Sequence, residues 1–483
     1  MRPHLTLSLA MRSAPIVAGA ILALGFGASL VTGDPFWAGA SGIIATAGFV
    51  TVVAYGRTRV IGWSTAVPLF YLIMFGLMPL VEYAAGLDSL WGHGTMWRAQ
   101  WVAVVGVASF GVVTAGQRKR LLRAHLRERA IFGGCFEILR SRPVVVACAA
   151  VGSLGALYGL NHGYFGLGVA AREVGSFAGL AVLAQTFLDV ATVASWIHML
   201  TTRSLRWRIL AWSCVVLEMG ISLFSRSKGA MLAPLVLMAV TYWYVRGRMP
   251  LKASLAVLVA YVSIAYPFVT GWRQTGSTEY RNGSEMVVEG AEYLLGGRWW
   301  TDARPEVSET TTSLSRGLFG VFSVIVDQTG RETPYLGGAT YLSALEGLVP
   351  RALWASKPTT TIGHMVGVKY GFIGATDELT NIAPTAMGEM YINFGLFGVF
   401  FGMAAAGWIA AVMDRWLSRM GLWMSCWLAA PIFVSQEAVL SQGAVALLVK
   451  VGAVWSAATI LMYARRTRAA SPKYAGQEKG RDL

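Results

Sequence analysis

Five basic residues follow or separate apolar runs and could bind an anion at a membrane surface: Arg226, Lys228, Arg273, Arg351 and Lys357. Arg226 and Lys228 share one short turn between two apolar runs. A guanidinium group binds two phosphate oxygens at once and stays charged near lipid, so a diphosphate is the ligand that suits this set. Each cation alone could equally contact a phospholipid headgroup or a loop carboxylate, whereas the five together favour a site.

A second group of polar residues opens a later apolar run: Glu389, Tyr391 and Asn393. Glu389 and Asn393 are four residues apart and share one helix face, where they could line a cavity for an acceptor. Glu389 is a candidate general base, and so is His364, which lies upstream. The alternatives are an interfacial tyrosine, a helix-start glutamate favoured by the helix dipole and a solvated loop histidine.

The chain that positions these residues is too apolar for a soluble protein. Of its 483 residues 55% are hydrophobic and 13% charged, and the mean hydropathy is +0.54. Soluble domains carry about 25% charged residues. Twelve apolar runs approach the ~20 residues that cross a bilayer: 14–32, 36–55, 62–86, 99–116, 143–160, 177–199, 208–224, 229–245, 253–270, 388–412, 421–437 and 443–463. The sequence predicts an all-α polytopic membrane protein of about twelve transmembrane helices.

The basic residues predict the orientation of these spans, because short cytoplasmic loops collect Lys and Arg. With the N-terminus inside, the dense clusters near 57–59, 118–129, 203–208 and 246–252 fall in the cytoplasm, as does the basic tail 464–483. Both termini are therefore predicted to be cytoplasmic, and the five candidate diphosphate-binding cations lie on the outer face.

The longest connection separates the ninth and tenth spans and covers residues 271–387. Helical spacing is visible at 285–295 and 339–348, and 318–326 is apolar but too short to span. We expect a folded, partly helical outer lid with one segment dipping into the membrane interface. The predicted organisation is nine spans in 1–270, the lid in 271–387, three spans in 388–463 and a basic tail.

Several function classes are not indicated by this sequence. The net charge of +15 would suit nucleic acid, but the distribution of Lys and Arg is explained by membrane topology. The four cysteines have no CxxC spacing, so neither a zinc site nor a disulfide framework is predicted. No P-loop or dinucleotide fingerprint stands in a plausible context. No cofactor and no metal are expected.

Four motifs in a fixed order and sidedness resemble the Wzy-type polymerases of O-antigen and exopolysaccharide repeat units. The resemblance covers roughly residues 205–412. It is carried by the turn Ser225-Arg-Ser-Lys-Gly229, by Trp272-Arg-Gln274, by Val349-Pro-Arg-Ala-Leu-Trp354 with Lys357-Pro358, and by Gly388-Glu-Met-Tyr-Ile-Asn-Phe-Gly395.

The resemblance implies an inverting, metal-independent glycosyltransferase in the bacterial cytoplasmic membrane. Its donor would be a glycan on undecaprenyl diphosphate, and its acceptor a single lipid-linked repeat unit. Arg226, Arg273 and Arg351 would hold the donor diphosphate, and Glu389 or His364 would deprotonate the acceptor hydroxyl. Membrane lipids, a flippase and a chain-length regulator would be its partners.

Two other functions remain open. A lipid-linked glycan ligase would use the same diphosphate site with a different acceptor. A transporter is favoured by Asp189, Glu218 and Lys450, which fall inside apolar runs where charged side chains often mark ion pathways. Glu218 and Lys450 lie at similar predicted depth, so we expect them to form a pair.

Overall fold

The structure is a computed structural model that describes residues 3–58, 62–84, 93–117, 139, 141–161, 178–224, 228–246, 251–275, 283–297, 317–346, 349, 354, 362–374, 381–419 and 449–460, the last range without 455 and 458. Within these ranges the chain is almost entirely helical and contains no β-strand. An isolated bridge joins Thr329 to Thr333. The all-α prediction is confirmed for this part of the chain.

The described part of the chain forms a series of helices. In chain order they are α1 (Pro3–Thr32), α2 (Phe36–Thr58), α3 (Trp63–Tyr71), a π-helical segment (Leu72–Leu77), α4 (Met78–Ala84), α5 (His93–Gly116), α6 (Arg142–Asn161), α7 (Ala178–Thr202), α8 (Leu205–Phe224), α9 (Lys228–Arg246), α10 (Leu251–Ala260), a second π-helical segment (Tyr261–Ala265), α11 (Tyr266–Thr275), α12 (Gly283–Leu295), α13 (Leu318–Gln328), α14 (Ala339–Glu346), α15 (Ile362–Lys369) and α16 (Thr385–Arg419). Helical residues also occur in 449–460.

Six helical stretches in the described part of the chain are long and apolar enough to cross a membrane: Ser13–Thr32, Phe36–Tyr55, Trp63–Leu80, Thr95–Gly116, Arg142–Asn161 and Thr385–Arg415. This finding fits a membrane protein. It is half the predicted number, and twelve spans are not supported. Of the other predicted spans, the run 208–224 lies in α8, which carries Arg206, Arg208 and Glu218, and 253–270 is divided by a π-helical segment. The run 421–437 lies outside the described residues.

Two helical cores organise the bundle. The first joins α2, α3, α5 and α16 and includes Ile43, Phe110 and Met387, which are all at most 1% exposed. α1 packs on α2 and leaves Leu24 and Leu30 largely exposed, as expected of a lipid-facing helix.

The second core is formed by α6, α7, α8 and α9. It contains Val145, Leu188, Cys214 and Leu237, one from each helix. α6 approaches α7 so closely that a Cβ on Gly152 would meet the backbone of Leu188. Small residues that admit a neighbouring backbone are typical of helix packing in membranes, where lipid competes with ordinary apolar contacts.

The start of α3 is tied to the far end of α16. Gly62 has no side chain to cap the helix, and Asp414 of α16 takes that role: its Oδ1 accepts from Trp63 N at 2.6 Å and its Oδ2 from Ser64 N at 3.1 Å. A carboxylate at a helix N-terminus is stabilised by unpaired N–H groups and by the helix dipole. Trp63 also packs against both cores, so this contact lies where the two meet.

The predicted lid contains the helices that the sequence indicated. The helices predicted at 285–295 and 339–348 are confirmed as α12 and α14, which ends at Glu346, and the short apolar stretch 318–326 lies in α13. α13 is buried rather than peripheral: Phe319 and Phe322 pack edge-on or tilted against Phe75 of the first π-helical segment. Its other face forms a third core with α15 and the start of α16, through side chains such as Ile325, Val366 and Ile392.

Candidate functional site at a helical hairpin

α16 is broken in two at Gly395, where the backbone leaves the helical region (φ 61°, ψ −146°). Residues 385–394 form a short arm and residues 396–419 a long arm. A straight helix would separate Met390 from Gly398 by about 12 Å along its axis. Instead, a Cβ on Gly398 would meet the carbonyl oxygen of Met390. The two arms therefore fold back on each other as a hairpin with Gly395 at its tip.

The hairpin tip lies at the end of the bundle where α5 begins. Gly106 of α5 lies against Val399 of the long arm, and Phe110 lies against Gly407, so the long arm runs parallel to α5. From the tip to Asp414 the long arm rises about 28 Å, close to the thickness of the hydrocarbon core. We call the tip the hairpin end and the opposite end the Asp414 end.

The short arm therefore starts inside the bundle. It runs antiparallel to the long arm, and its Met387 reaches Gly106 of α5, which Val399 also contacts. The first residue, Thr385, is fully buried, and its Oγ1 accepts from Gly388 N at 3.3 Å. Thr385 also has a positive φ of 64°, a conformation that costs a β-branched residue on the order of 1–3 kcal/mol. The packed bundle maintains this strained start.

The carbonyl end of the short arm is capped by the loop that precedes α14. Leu336 N donates to Ile392 O at 3.0 Å, and Gly337 N donates to Asn393 O at 3.1 Å. Gly338 N donates to the Asn393 side-chain Oδ1 at 2.9 Å. These bonds satisfy carbonyl groups that the break in the helix would otherwise leave unpaired. They also fix the position of α14 relative to the hairpin.

Asn393 completes this connection through its amide nitrogen. Nδ2 donates to Thr340 Oγ1 of α14 at 2.7 Å and to the backbone oxygen of Glu389 at 2.8 Å. The prediction that Glu389 and Asn393 share a helix face is thus confirmed. Asn393 is 1% exposed and uses both its oxygen and its nitrogen to hold the hairpin, so in this conformation its contacts are structural.

Glu389 is a buried carboxylate facing the same helix. It is 0% exposed, and its charge acts on the phenol of Tyr341 in α14. Burial, followed by the negative charge of Glu389, raises the pKa of Tyr341 well above its usual value. Tyr341 therefore keeps its proton at neutral pH. A phenol beside a carboxylate can pass a proton between a half-buried position and a buried one.

The opposite face of the short arm, which carries Tyr391, lies near an exposed cluster of charged side chains. Arg331 Nη1 donates to Asp327 Oδ1 at 3.2 Å, and Arg98 Nη1 lies 3.7 Å from the same oxygen. The side chains of Arg98, Asp327 and Arg331 are 45%, 36% and 60% exposed. Tyr391 lies within electrostatic range of all three and of Tyr335. We call Arg98, Asp327 and Arg331 the arginine cluster.

The predicted diphosphate-binding residues are only partly covered by the structure. Arg226, Arg351 and Lys357 lie outside the described residues. Lys228 is the first residue of α9 and Arg273 lies in α11, and only their backbone positions are described. Whether the five cations converge stays a prediction.

The predicted catalytic and acceptor residues occupy three positions. Glu389 and Asn393 face α14, Tyr391 lies near the arginine cluster, and His364 is half-buried in α15. The catalytic roles of Glu389 and His364 stay predictions. In the described ranges, no group of three or more His, Cys, Asp or Glu side chains could hold a metal ion.

Sequence reasoning overlooked the arginine cluster. Arg98 directly precedes the fourth apolar run and, like Arg226, falls in a predicted outer loop, where Lys and Arg are uncommon. The same criterion would therefore have selected it. Asp327 and Arg331 are four residues apart at the end of α13, a spacing that permits an ion pair. Their meeting with Arg98, more than two hundred residues away, depends on the packing of α13 against α5.

Comparison with known families places the hairpin in a recognised unit. Residues 160–420 match the model of a family described as a domain of unknown function, DUF8712. The chain belongs to this family. The DUF8712 match begins at the end of α6 and ends just beyond α16, so it includes the hairpin, α13 and α14 but not Arg98. No curated protein and no solved structure matches the chain.

Proposed function

We propose that this member of the DUF8712 family is a Wzy-type polymerase that joins lipid-linked oligosaccharide repeat units at the outer face of a bacterial cytoplasmic membrane. The observation that carries the proposal is the hairpin, which holds a buried carboxylate, Glu389, beside the phenol of Tyr341. The four motifs that resemble these polymerases add to it, and one of them, 388–395, forms the end of the short arm and the hairpin tip.

The proposed orientation follows from the basic residues. With both termini in the cytoplasm, α5 begins outside and the hairpin end is the outer face. The proposal includes the six further predicted spans, which bring the total to twelve. The Asp414 end then faces the cytoplasm.

In the proposed reaction an acceptor hydroxyl attacks C1 of the reducing-end sugar of the donor. The new C1–oxygen bond forms as the bond from C1 to the diphosphate oxygen breaks, with inversion at C1. Undecaprenyl diphosphate leaves with the electron pair, and Arg226, Arg273 and Arg351 neutralise its charge. The hydroxyl proton passes to Glu389; because Glu389 is buried, we assign the half-buried Tyr341 as the relay. His364 is the alternative base.

A glycan ladder assay tests the polymerase. Purified protein supplied only with lipid-linked repeat units is expected to yield a ladder of polymers, whereas a ligase would yield none. Arg226→Ala should reduce ladder intensity at unchanged protein level, and Arg226→Lys should also be impaired, since an ammonium lacks the bidentate fork. A wild-type ladder from Arg226→Ala would remove this turn from the diphosphate site.

A transporter is the second candidate, and two observations favour it. The break in α16 at Gly395 resembles the interrupted helices from which many transporter sites are built. The charged residues Asp189 and Glu218 inside the bundle would fit an ion pathway. Substrate-dependent uptake into sealed vesicles, without ladder formation, would support this candidate over the polymerase.

A further inference from the structure

We propose that the arginine cluster, together with Tyr335 and Tyr391, is a binding subsite for a singly charged carboxylate on the glycan, that is, for an acidic sugar. The identity of the ligand as a glycan rests on the proposed function. The anion-binding chemistry rests on the residues themselves, and neither Arg98 nor Arg331 belongs to the cations that the sequence motifs indicate.

The two arginine side chains of the cluster remain partly exposed to solvent. Arg331 contributes one of its five N–H donors to Asp327, and Arg98 approaches the same carboxylate oxygen at ion-pair distance. Both side chains remain about half exposed, at 45% and 60%. One carboxylate therefore orients two guanidinium groups without covering them.

The charge of the cluster favours a singly charged ligand. Two guanidinium groups and one carboxylate sum to +1. A carboxylate would neutralise this charge, whereas a diphosphate would leave an excess of negative charge beside Asp327. The oxygen atoms of a carboxylate also match the two-pronged donor geometry of arginine.

The tyrosines supply the surface for a sugar ring. Tyr335 is 50% exposed and packs over the hairpin tip, since a Cβ on Gly395 or on Gly330 would meet its ring or hydroxyl. Tyr391 lies on the short arm within electrostatic range of all three charged residues. An aromatic ring with a hydroxyl offers both an apolar face and a hydrogen-bonding edge. The cluster therefore lies beside the hairpin that contains Glu389.

Equilibrium binding to the purified full-length protein in nanodiscs tests this subsite without turnover. Three probes are compared: a trisaccharide ending in glucuronate, the same trisaccharide ending in glucose, and inorganic pyrophosphate. We expect wild-type protein to bind the glucuronate trisaccharide roughly tenfold or more tightly than the neutral one, because charge-assisted hydrogen bonds are lost in the latter. The double variant Arg98→Gln with Arg331→Gln should lose this preference and bind the neutral trisaccharide as wild-type does.

Two further variants keep the test decisive. Arg142→Gln removes an exposed arginine at the start of α6 and should keep the preference. Asp327→Asn raises the charge of the cluster to +2 and should improve pyrophosphate binding relative to glucuronate. Unchanged melting temperature shows that each variant is folded; if the double variant fails to fold, Arg98→Lys and Arg331→Lys, which keep the charge but lose the fork, should each weaken the preference.

Three results would overturn the subsite. They are equal affinity of wild-type protein for the two trisaccharides, retention of the preference in the double variant, and pyrophosphate binding that is tighter than glucuronate binding and is lost in the double variant. The last would assign the cluster to a lipid diphosphate or headgroup phosphate. Preferential glucuronate binding by a protein that forms no ladder would support the subsite and contradict the polymerase. A ladder formed by a protein without glucuronate preference would support the polymerase and contradict the subsite.

Discussion

Charged side chains gather in two regions of this bundle, and their surroundings differ. The arginine cluster lies at the hairpin end, about half exposed, where water screens its ion pairs. In the second group, Glu218 of α8 is buried, and Asp189 of α7 and Lys450 are partly buried. Exposed charges contribute little to stability and remain available to a ligand, whereas buried charges need one another.

The buried group corrects a sequence-based pairing. Lys450 was expected opposite Glu218, but the electrostatic partner found for it is Asp189. Glu218, which is 7% exposed, accepts a hydrogen bond from Thr192 Oγ1 at 2.6 Å and also interacts with Asp189. The sequence placed Glu218 and Lys450 at similar depth, but the choice of partner depends on how the helices are rotated, and Asp189 was not expected in the group.

The largest expected effect is on the buried group. Lys450→Met would leave two neighbouring carboxylates without their cation, and we expect a loss of about 3–5 kcal/mol in the free energy of unfolding. Asp189→Asn in the same chain should restore part of it. Thermal unfolding in detergent measures the effect, and Lys252→Met, at an exposed lysine of α10, is the control. Strictly additive losses in the double variant would contradict the contact.

A smaller effect is expected at the hairpin tip, which connects the candidate site to the rest of the bundle. Gly395 has a backbone conformation that is essentially restricted to glycine, and a Cβ at this position would lie only 3.0 Å from the Tyr335 ring. Gly395→Ala should therefore cost about 1–3 kcal/mol. Gly48→Ala in α2, where a Cβ would meet nothing within 4 Å, should leave the melting temperature unchanged or raise it. Equal behaviour of the two variants would argue against the hairpin.

The Asp414 end should respond by a comparable or smaller amount. Asp414→Ala removes the cap of α3 and should destabilise the protein by about 1–2 kcal/mol, while Asp414→Asn, which keeps an acceptor oxygen, should cost less. Thermal unfolding compares the two. An alanine variant as stable as wild-type protein would show that the contact between α16 and α3 does not stabilise the bundle.

The smallest effect is expected in the arginine cluster. Asp327→Asn breaks two ion pairs, yet both are exposed, and we expect less than about 1 kcal/mol in stability. Chemical unfolding of the variant beside wild-type protein measures this. A loss as large as that of Lys450→Met would erase the contrast between the two regions and indicate a structural role for the cluster.

The sequence predicts the helical class well and the site only in part. Apolar runs and helical spacing located many helices of the described segments, among them α12 and α14, because hydrophobic length and periodicity are local properties; the helix α15 was not predicted. The break at Gly395 was not predicted: 388–412 was interpreted as one continuous span, and a glycine inside an apolar run is usually tolerated in a helix. The meeting of Arg98 with Asp327 also escaped prediction, since it arises from packing between distant segments.

The central claim is that Glu389 on the hairpin accepts a proton in glycan polymerisation, and one ladder measurement tests it most directly. Glu389→Gln and the matched control Glu292→Gln, at an exposed glutamate of α12, are compared at equal levels of membrane-inserted protein. We predict that Glu389→Gln reduces polymer formation roughly 10²–10⁴-fold, the usual contribution of a general base, and that the control retains it. A wild-type ladder from Glu389→Gln would contradict the account.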